Sequence, residues 1–179
     1  MICLLYAHPY PDRSRANRAL LAAVQDLPDV DLRPLYDWYP DFAIDVDAEQ
    51  RALERARVIV WQHPFYWYSV PGLLKHWFDK VLQLGWAYGT PNKALQDKTC
   101  LWVTTTGAPT SGYAEDGMHR RPFAEFVPAI EQTARFCGMQ WAEPLTVFGA
   151  HRIDEGELSD YCARYRERLE MLRARAAKE

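Results

Sequence analysis

Three strand-sized apolar runs, MICLLYA at 1–7, RVIVWQH at 57–63 and TCLWVTTTG at 99–107, each give way to a polar or aromatic loop before helix-patterned sequence resumes. Uninterrupted apolar runs of this length suit strands covered on both faces, which occur where helices flank a parallel sheet. The segments between them fit that scheme. SRANRALLAAVQDL at 14–27 carries a Ser14 N-cap and helical spacing, VDLRPL at 30–35 alternates like a half-buried strand, and DVDAEQRALERA at 45–56 reads as a helix capped by Asp45 or Asp47. Pro71 suits the first turn of a helix over 71–83, where Leu74, Trp77, Phe78 and Val81 form one stripe.

Residues 123–137 read as largely helical despite Pro128, and MQWAEPLTVFGAH at 139–151 carries a last strand whose limits Pro144 blurs. From Glu155 onward a charged surface helix turns Leu158, Tyr161, Tyr165, Leu169 and Leu172 inward. Strand and helix thus alternate five times, predicting one α/β domain over 1–179 with helices on both faces of a parallel sheet. Ligands of such sheets bind beyond the strands' C-terminal ends. The candidate functional loops are therefore 8–17, 63–71 and 105–119.

Composition narrows the classes of partner. A chain of 179 residues suits one core, and its net charge of −3 gives no general attraction to nucleic acid. Cysteines 3, 100, 137 and 162 lack CxxC spacing and a neighbouring His, so no metal site is expected; Cys3 and Cys100 read as buried strand residues. Residues 1–7 have no basic leader and no run approaches membrane-spanning length, which makes a soluble cytoplasmic protein the default expectation. Seven Trp and ten Tyr are many for this length and point to a stacking pocket or a subunit interface.

The first loop has neither GxGxxG nor GxxxxGK[ST]. Between a strand and a helix start it nonetheless holds His8, Ser14, Arg15 and Asn17, donors able to take a phosphate at the helix terminus. A solvent-facing turn in which Ser14 merely caps the helix explains them equally well. The second loop, HPFYWYSVP, offers Phe65, Tyr66, Trp67 and Tyr68 as contacts for a flat ring, its path restricted by Pro64 and Pro71. A core-filling segment or a dimer contact is the plainer alternative. In the third, Thr105, Thr106 and Gly107 present hydroxyl and backbone donors, and Tyr113 and His119 supply a phenol and an imidazole suited to proton transfer and charge stabilisation, although each taken alone reads more plainly as a satisfied polar surface residue.

In their order, LLYAHPYPDRSRAN, LYDWYPDFAID, VWQHPFYWYSVPGLLKHWFDKVL, GWAYG and VTTTGAPTSGY with His119 resemble the flavodoxin-like NAD(P)H:quinone oxidoreductases. Within them the nearest branch is the ancillary flavoproteins of glutathione-regulated potassium efflux systems. The resemblance implies a three-layer flavodoxin-like sandwich with a five-stranded parallel sheet in the order 2-1-3-4-5. It places His8, Ser14, Arg15, Ala16 and Asn17 around a flavin phosphate and ribityl chain. Pro64, Phe65, Tyr66, Trp67 and Tyr68 fall beside the ring, Thr105, Thr106, Gly107 and Ala108 at its opposite edge, and Tyr113 and His119 in the roles that assist hydride transfer.

It further implies FMN rather than FAD, NAD(P)H as hydride donor and a quinone-like acceptor. A homodimer is expected, with the cytoplasmic face of a potassium–proton antiporter as partner and a peripheral position on the inner membrane. Two alternatives remain: a non-catalytic redox-sensing partner of the antiporter, and a stand-alone azoreductase- or nitroreductase-like enzyme. Tyr66 stands where members often carry Gln, and Ala108 where they often carry Gly.

Overall fold

The computed structural model describes residues 1–90 and 94–177. Its strands β1 (Ile2–Tyr6), β2 (Val30–Pro34), β3 (Val58–Pro64), β4 (Thr99–Thr105) and β5 (Gln140–Trp141) lie parallel in the order β2-β1-β3-β4-β5. The last position is filled in two lengths. β5 pairs with the start of β4, and β6 (Leu145–Val147) pairs with its end, Thr105 opposite Val147. The strand expected over 139–151 is thus divided around 142–144, where Pro144 has no N–H to continue a ladder.

Successive side chains of a strand point to opposite faces, and the two cores follow that alternation. Cys3, Leu5, Ile59, Trp61, Cys100 and Trp102 face one way. They pack against α3 (Val46–Arg55), α4 (Gly72–Val81) and α5 (Val127–Phe136) through Leu53, Leu74, Trp77, Ile130 and Ala134. Ile2, Leu4, Val58, Val60, Leu101 and Val103 face the other way, against α1 (Arg15–Ala22) and α6 (Glu155–Ala176) through Leu20, Leu158, Tyr165 and Leu169. Cys3 and Cys100 are fully buried, as their runs require. Each large apolar side chain removed from water stabilises the fold by about 1.5–3 kcal/mol, which is why both faces must be covered.

The helix limits have local causes. Ser14, Asp45 and Asp154 accept from Asn17, Ala48 and Glu157 amides at 3.2, 2.9 and 2.9 Å, capping α1, α3 and α6. α1 stops at Ala22, short of the expected 27, and the chain continues in turns. Pro128 sits in the first turn of α5, where a missing N–H costs nothing; a 3₁₀ turn, Phe123–Phe126, precedes it. In α6, Tyr161 and Leu172 are only partly buried, and residues 178–179 of the expected tail helix lie outside the described residues.

The short helix α2 (Leu35–Trp38) and a buried carboxylate close the β2 side. Glu49, wholly buried on α3, accepts from Arg33 Nε and Nη2 at 2.9 and 2.6 Å, Tyr39 Oη at 2.6 Å and Trp77 Nε1 at 2.9 Å. Four donors satisfy the charge there.

Candidate functional site

The C-terminal ends of β1, β3 and β4 are tied into one platform. Asn17 Nδ2 donates to Thr105 Oγ1 at 2.8 Å, Gln62 Nε2 to the Asn17 carbonyl at 2.9 Å, and the Phe65 amide to the Thr105 carbonyl at 2.8 Å. All three candidate loops therefore open on the same side of the sheet. They enclose a cleft of two compartments, about 360 and 660 Å³, which share Phe65, Gly107 and His151 as a common wall.

The inner compartment is polar. His8, Ser14, Arg15, Ala16, Pro64, Phe65, Tyr66, Thr105, Thr106 and Gly107 all border it. Asn17 is the exception among the first-loop residues. It is fully buried behind the wall, holding β4 to α1, and its Oδ1 has no partner among the described residues. Ser14 Oγ takes the Asn17 amide and the Ser14 carbonyl takes the Arg18 amide, so the Arg15 and Ala16 amides are the helix-start donors left for a ligand. The Arg15 guanidinium donates to the Ile153 carbonyl through one nitrogen and keeps further N–H groups. Burial lowers the His8 imidazole pKa, and its Nδ1 accepts the Tyr10 amide at 3.0 Å.

The outer compartment is aromatic, lined by Phe65, Trp67, Tyr68, Gly107, Ala108, Tyr113 and His119. Tyr66 and Ser69 exchange backbone hydrogen bonds at 3.2 and 3.0 Å across Trp67 (φ 49°) and Tyr68 (φ 62°). Two successive left-handed residues make this a type I′ hairpin turn, a geometry that favours Asn-Gly. Here it carries a Trp and a Tyr, and Trp67 stands 92% exposed at its tip. Tyr68 stacks on Phe126 with centroids 5.1 Å apart, and its hydroxyl lies 3.3 Å from His119 Nδ1.

Gly117 makes the third loop possible, because a Cβ there would sit 2.4 Å from the Ser111 carbonyl oxygen and 2.6 Å from that of Gly112. The tight fold brings the His119 amide to the Gly112 carbonyl at 2.9 Å and stacks the rings of Tyr113 and His119 at 4.4 Å. Burial raises the Tyr113 phenol pKa. His119 Nε2 is buried without a partner among the described residues.

A fourth loop, 149–152, also borders the cleft and was missed in the sequence. The expected strand ran to His151; β6 ends at Val147, and the rule of C-terminal strand ends would have claimed these residues had that limit been legible. Tyr10, Arg13, Pro109 and Met118 likewise line the cleft without having been singled out. Among the described residues no group of His, Cys, Asp or Glu is arranged to hold a metal.

The flavodoxin-like fold matches residues 1–169. The glutathione-regulated potassium-efflux system ancillary protein KefF of Citrobacter koseri is 46% identical over 169 residues, 94% of this chain and 95% of the relative. The general stress protein 14 of Treponema denticola, solved in complex with FMN, is 34% identical with a TM-score of 0.85, covering 97% of this chain and 98% of that one. An NADPH-quinone reductase from P. pentosaceus is 25% identical with a TM-score of 0.84, over 93% and 96% of the two chains. A structure described as a thermophilic tryptophan halogenase from Streptomycin violaceusniger is 38% identical with a TM-score of 0.87, over 93% and 96%.

Proposed function

Since the chain belongs to the flavodoxin-like fold family, we propose that it is an FMN-dependent oxidoreductase carrying two electrons from NAD(P)H to a quinone-like acceptor. We further propose that it serves as the ancillary subunit of a glutathione-regulated potassium–proton antiporter, the role named for its KefF relatives. The observation that carries the catalytic reading is the meeting of the second and third loops, Tyr68 Oη to His119 Nδ1 at 3.3 Å, over a cleft whose other end is a helix start. The halogenase likeness contributes its fold.

The residues suit the flavin. The Arg15 and Ala16 amides, Ser14 and Arg15 form a donor set for a phosphate, and Thr105 offers its hydroxyl beside it, whereas that of Thr106 is donated to the Ala108 carbonyl at 2.7 Å. Phe65 and Tyr66 give the apolar wall that a ring requires, with Trp67, Tyr68 and Ala108 around the outer opening. Bound FMN supplies reversible two-electron, hydride-accepting chemistry. The chain supplies position and protons. Tyr113 fixes the plane of the His119 imidazole by stacking, and with Nε2 buried the proton reaches the acceptor's oxygen from the Nδ1 side, where the Tyr68 hydroxyl lies at 3.3 Å beside the outer compartment. One outer compartment serves both substrates, so nicotinamide must leave before the acceptor enters.

The whole chain acts as one domain in this proposal, as a homodimer docked peripherally on the antiporter; no described helix is long and apolar enough to cross a membrane. Purified protein should carry FMN, identified by mass and absorbance, and anaerobic NAD(P)H should bleach its yellow band. Steady-state kinetics should show a substituted-enzyme pattern. A protein that neither carries nor takes up FMN or FAD overturns the reading. Transport assays with a folded, pocket-disabled variant separate a catalytic from a purely regulatory role.

A further inference from the structure

His151 and Arg152 have no task in the scheme above, yet both line the outer compartment, and His151 also borders the inner one. Their backbone is held from two sides. The Gly149 amide donates to the Ala108 carbonyl and the Ala150 amide to the Thr106 carbonyl, each at 2.8 Å, while the Arg152 amide returns to the Gly149 carbonyl at 2.8 Å. Arg15 clamps the Ile153 carbonyl from α1. Gly149 adopts φ +63°, the left-handed conformation that lets this turn close.

The His151 ring lies against Gly107, where a Cβ would stand 3.4 Å from its Cδ2. The Arg152 guanidinium is exposed and has no ion pair or hydrogen bond among the described residues. Among the described residues no carboxylate lines this compartment. In a chain of net charge −3, the cleft therefore has aromatic walls at one end and an unneutralised cation at the other.

We propose that Arg152, seated beside His151, anchors an acidic group carried by the planar redox partner that enters the outer compartment. The inference rests on the oxidoreductase reading and adds a substrate class to it. The ring of the partner lies against Phe65, Trp67 and Tyr68, and a phosphate, sulfonate or carboxylate meets the guanidinium, whose planar fork suits all three. Two sources share that chemistry: a phosphate of the nicotinamide donor, and an acid on the acceptor.

The test uses the purified protein with its bound flavin, its R152Q and R152K variants, and R51Q on α3 as a charge-matched control. Each is titrated with NADP⁺, a naphthoquinone sulfonate and neutral menadione, following tryptophan fluorescence. R152Q should raise the Kd of at least one acidic probe about tenfold and leave menadione within about twofold, with R152K between and R51Q unchanged. A shift for NADP⁺ assigns the donor's phosphate; a shift for the sulfonate assigns the acceptor's acid. If neither acidic probe moves, or if menadione weakens as much as they do, the anchor is overturned. Absence of flavin from the wild type would sink the preceding proposal, while the same titrations would still read the anchor.

Discussion

Trp102 Nε1 donates to His63 Nε2 across 2.7 Å, joining β4 to β3 in the interior just beneath the aromatic turn. The other ring nitrogen, Nδ1, faces the Pro64 carbonyl at 2.9 Å. The pair of contacts assigns the neutral tautomer with hydrogen on Nδ1, since a protonated ring would set two N–H groups against each other at Nε2. The imidazole thereby holds the peptide from which Phe65 and the hairpin turn depart.

Burial pushes the His63 imidazole from its ordinary 6.5 down to about 4. Between those values the unfolded chain binds the proton and the folded one does not. The contribution of the neutral ring is therefore complete above pH 6.5 and is lost as pH falls toward 4. The loss amounts to roughly 3 kcal/mol. Urea midpoints of the wild type should fall more steeply between pH 7 and pH 4 than those of His63→Gln. Equal slopes would exclude His63 as the titrating group.

The Trp67–Tyr68 turn holds a bulky residue in left-handed backbone that Asn adopts more readily, and Trp67 has almost no packing to lose. Trp67→Asn should raise stability by about 0.5–1 kcal/mol while weakening binding of aromatic acceptors in the outer compartment. Chemical denaturation and acceptor KM, measured on the same preparation, check both halves. A variant that is less stable than the wild type contradicts the strain.

The sheet was legible because apolar continuity and loop punctuation are properties of local sequence; the order 2-1-3-4-5 came through the family resemblance. Pro144 announced trouble in the last strand, but where the chain would leave the ladder depends on how 142–144 pass the edge of β4. That uncertainty hid the 149–152 loop. Glu49 was illegible for a different reason: within DVDAEQRALERA it has the look of a solvated helix face, and its partners Arg33, Tyr39 and Trp77 come from three other segments. Asn17 could be read as a ligand donor, whereas the structure spends its amide on Thr105. The hairpin turn had none of the Asn or Gly that ordinarily signals it.

Removing the charge at Glu49 tests the buried network. Glu49→Gln removes the nearer and fully buried charge partner of the Arg33 guanidinium, whose side chain is only 8% exposed, and leaves it Asp31 at 3.5 Å. Stability should fall by about 3 kcal/mol or more, whereas Glu49→Leu combined with Arg33→Met should recover part of the loss. Thermal and urea unfolding of the two variants beside the wild type measure it. A neutral single variant would mean that Asp31 suffices as the charge partner of Arg33.

Gly117→Ala asks whether the geometry of the third loop matters for turnover. The added methyl would meet two backbone carbonyl oxygens, at 2.4 Å from Ser111 and 2.6 Å from Gly112, and neither can swing aside as a side chain would. The loop must shift, which strains the His119 amide bond to Gly112 and displaces the His119 ring from Tyr113. From this loop the inner compartment takes only Thr105, Thr106 and Gly107 at its start, away from the Gly117 turn, so FMN content should stay near that of the wild type. Quinone turnover should drop by about a hundredfold, in the range expected when a positioned proton donor is lost. A variant with full flavin content and undiminished turnover would separate the Tyr113–His119 stack from catalysis and leave the cleft walls to orient the reactants alone.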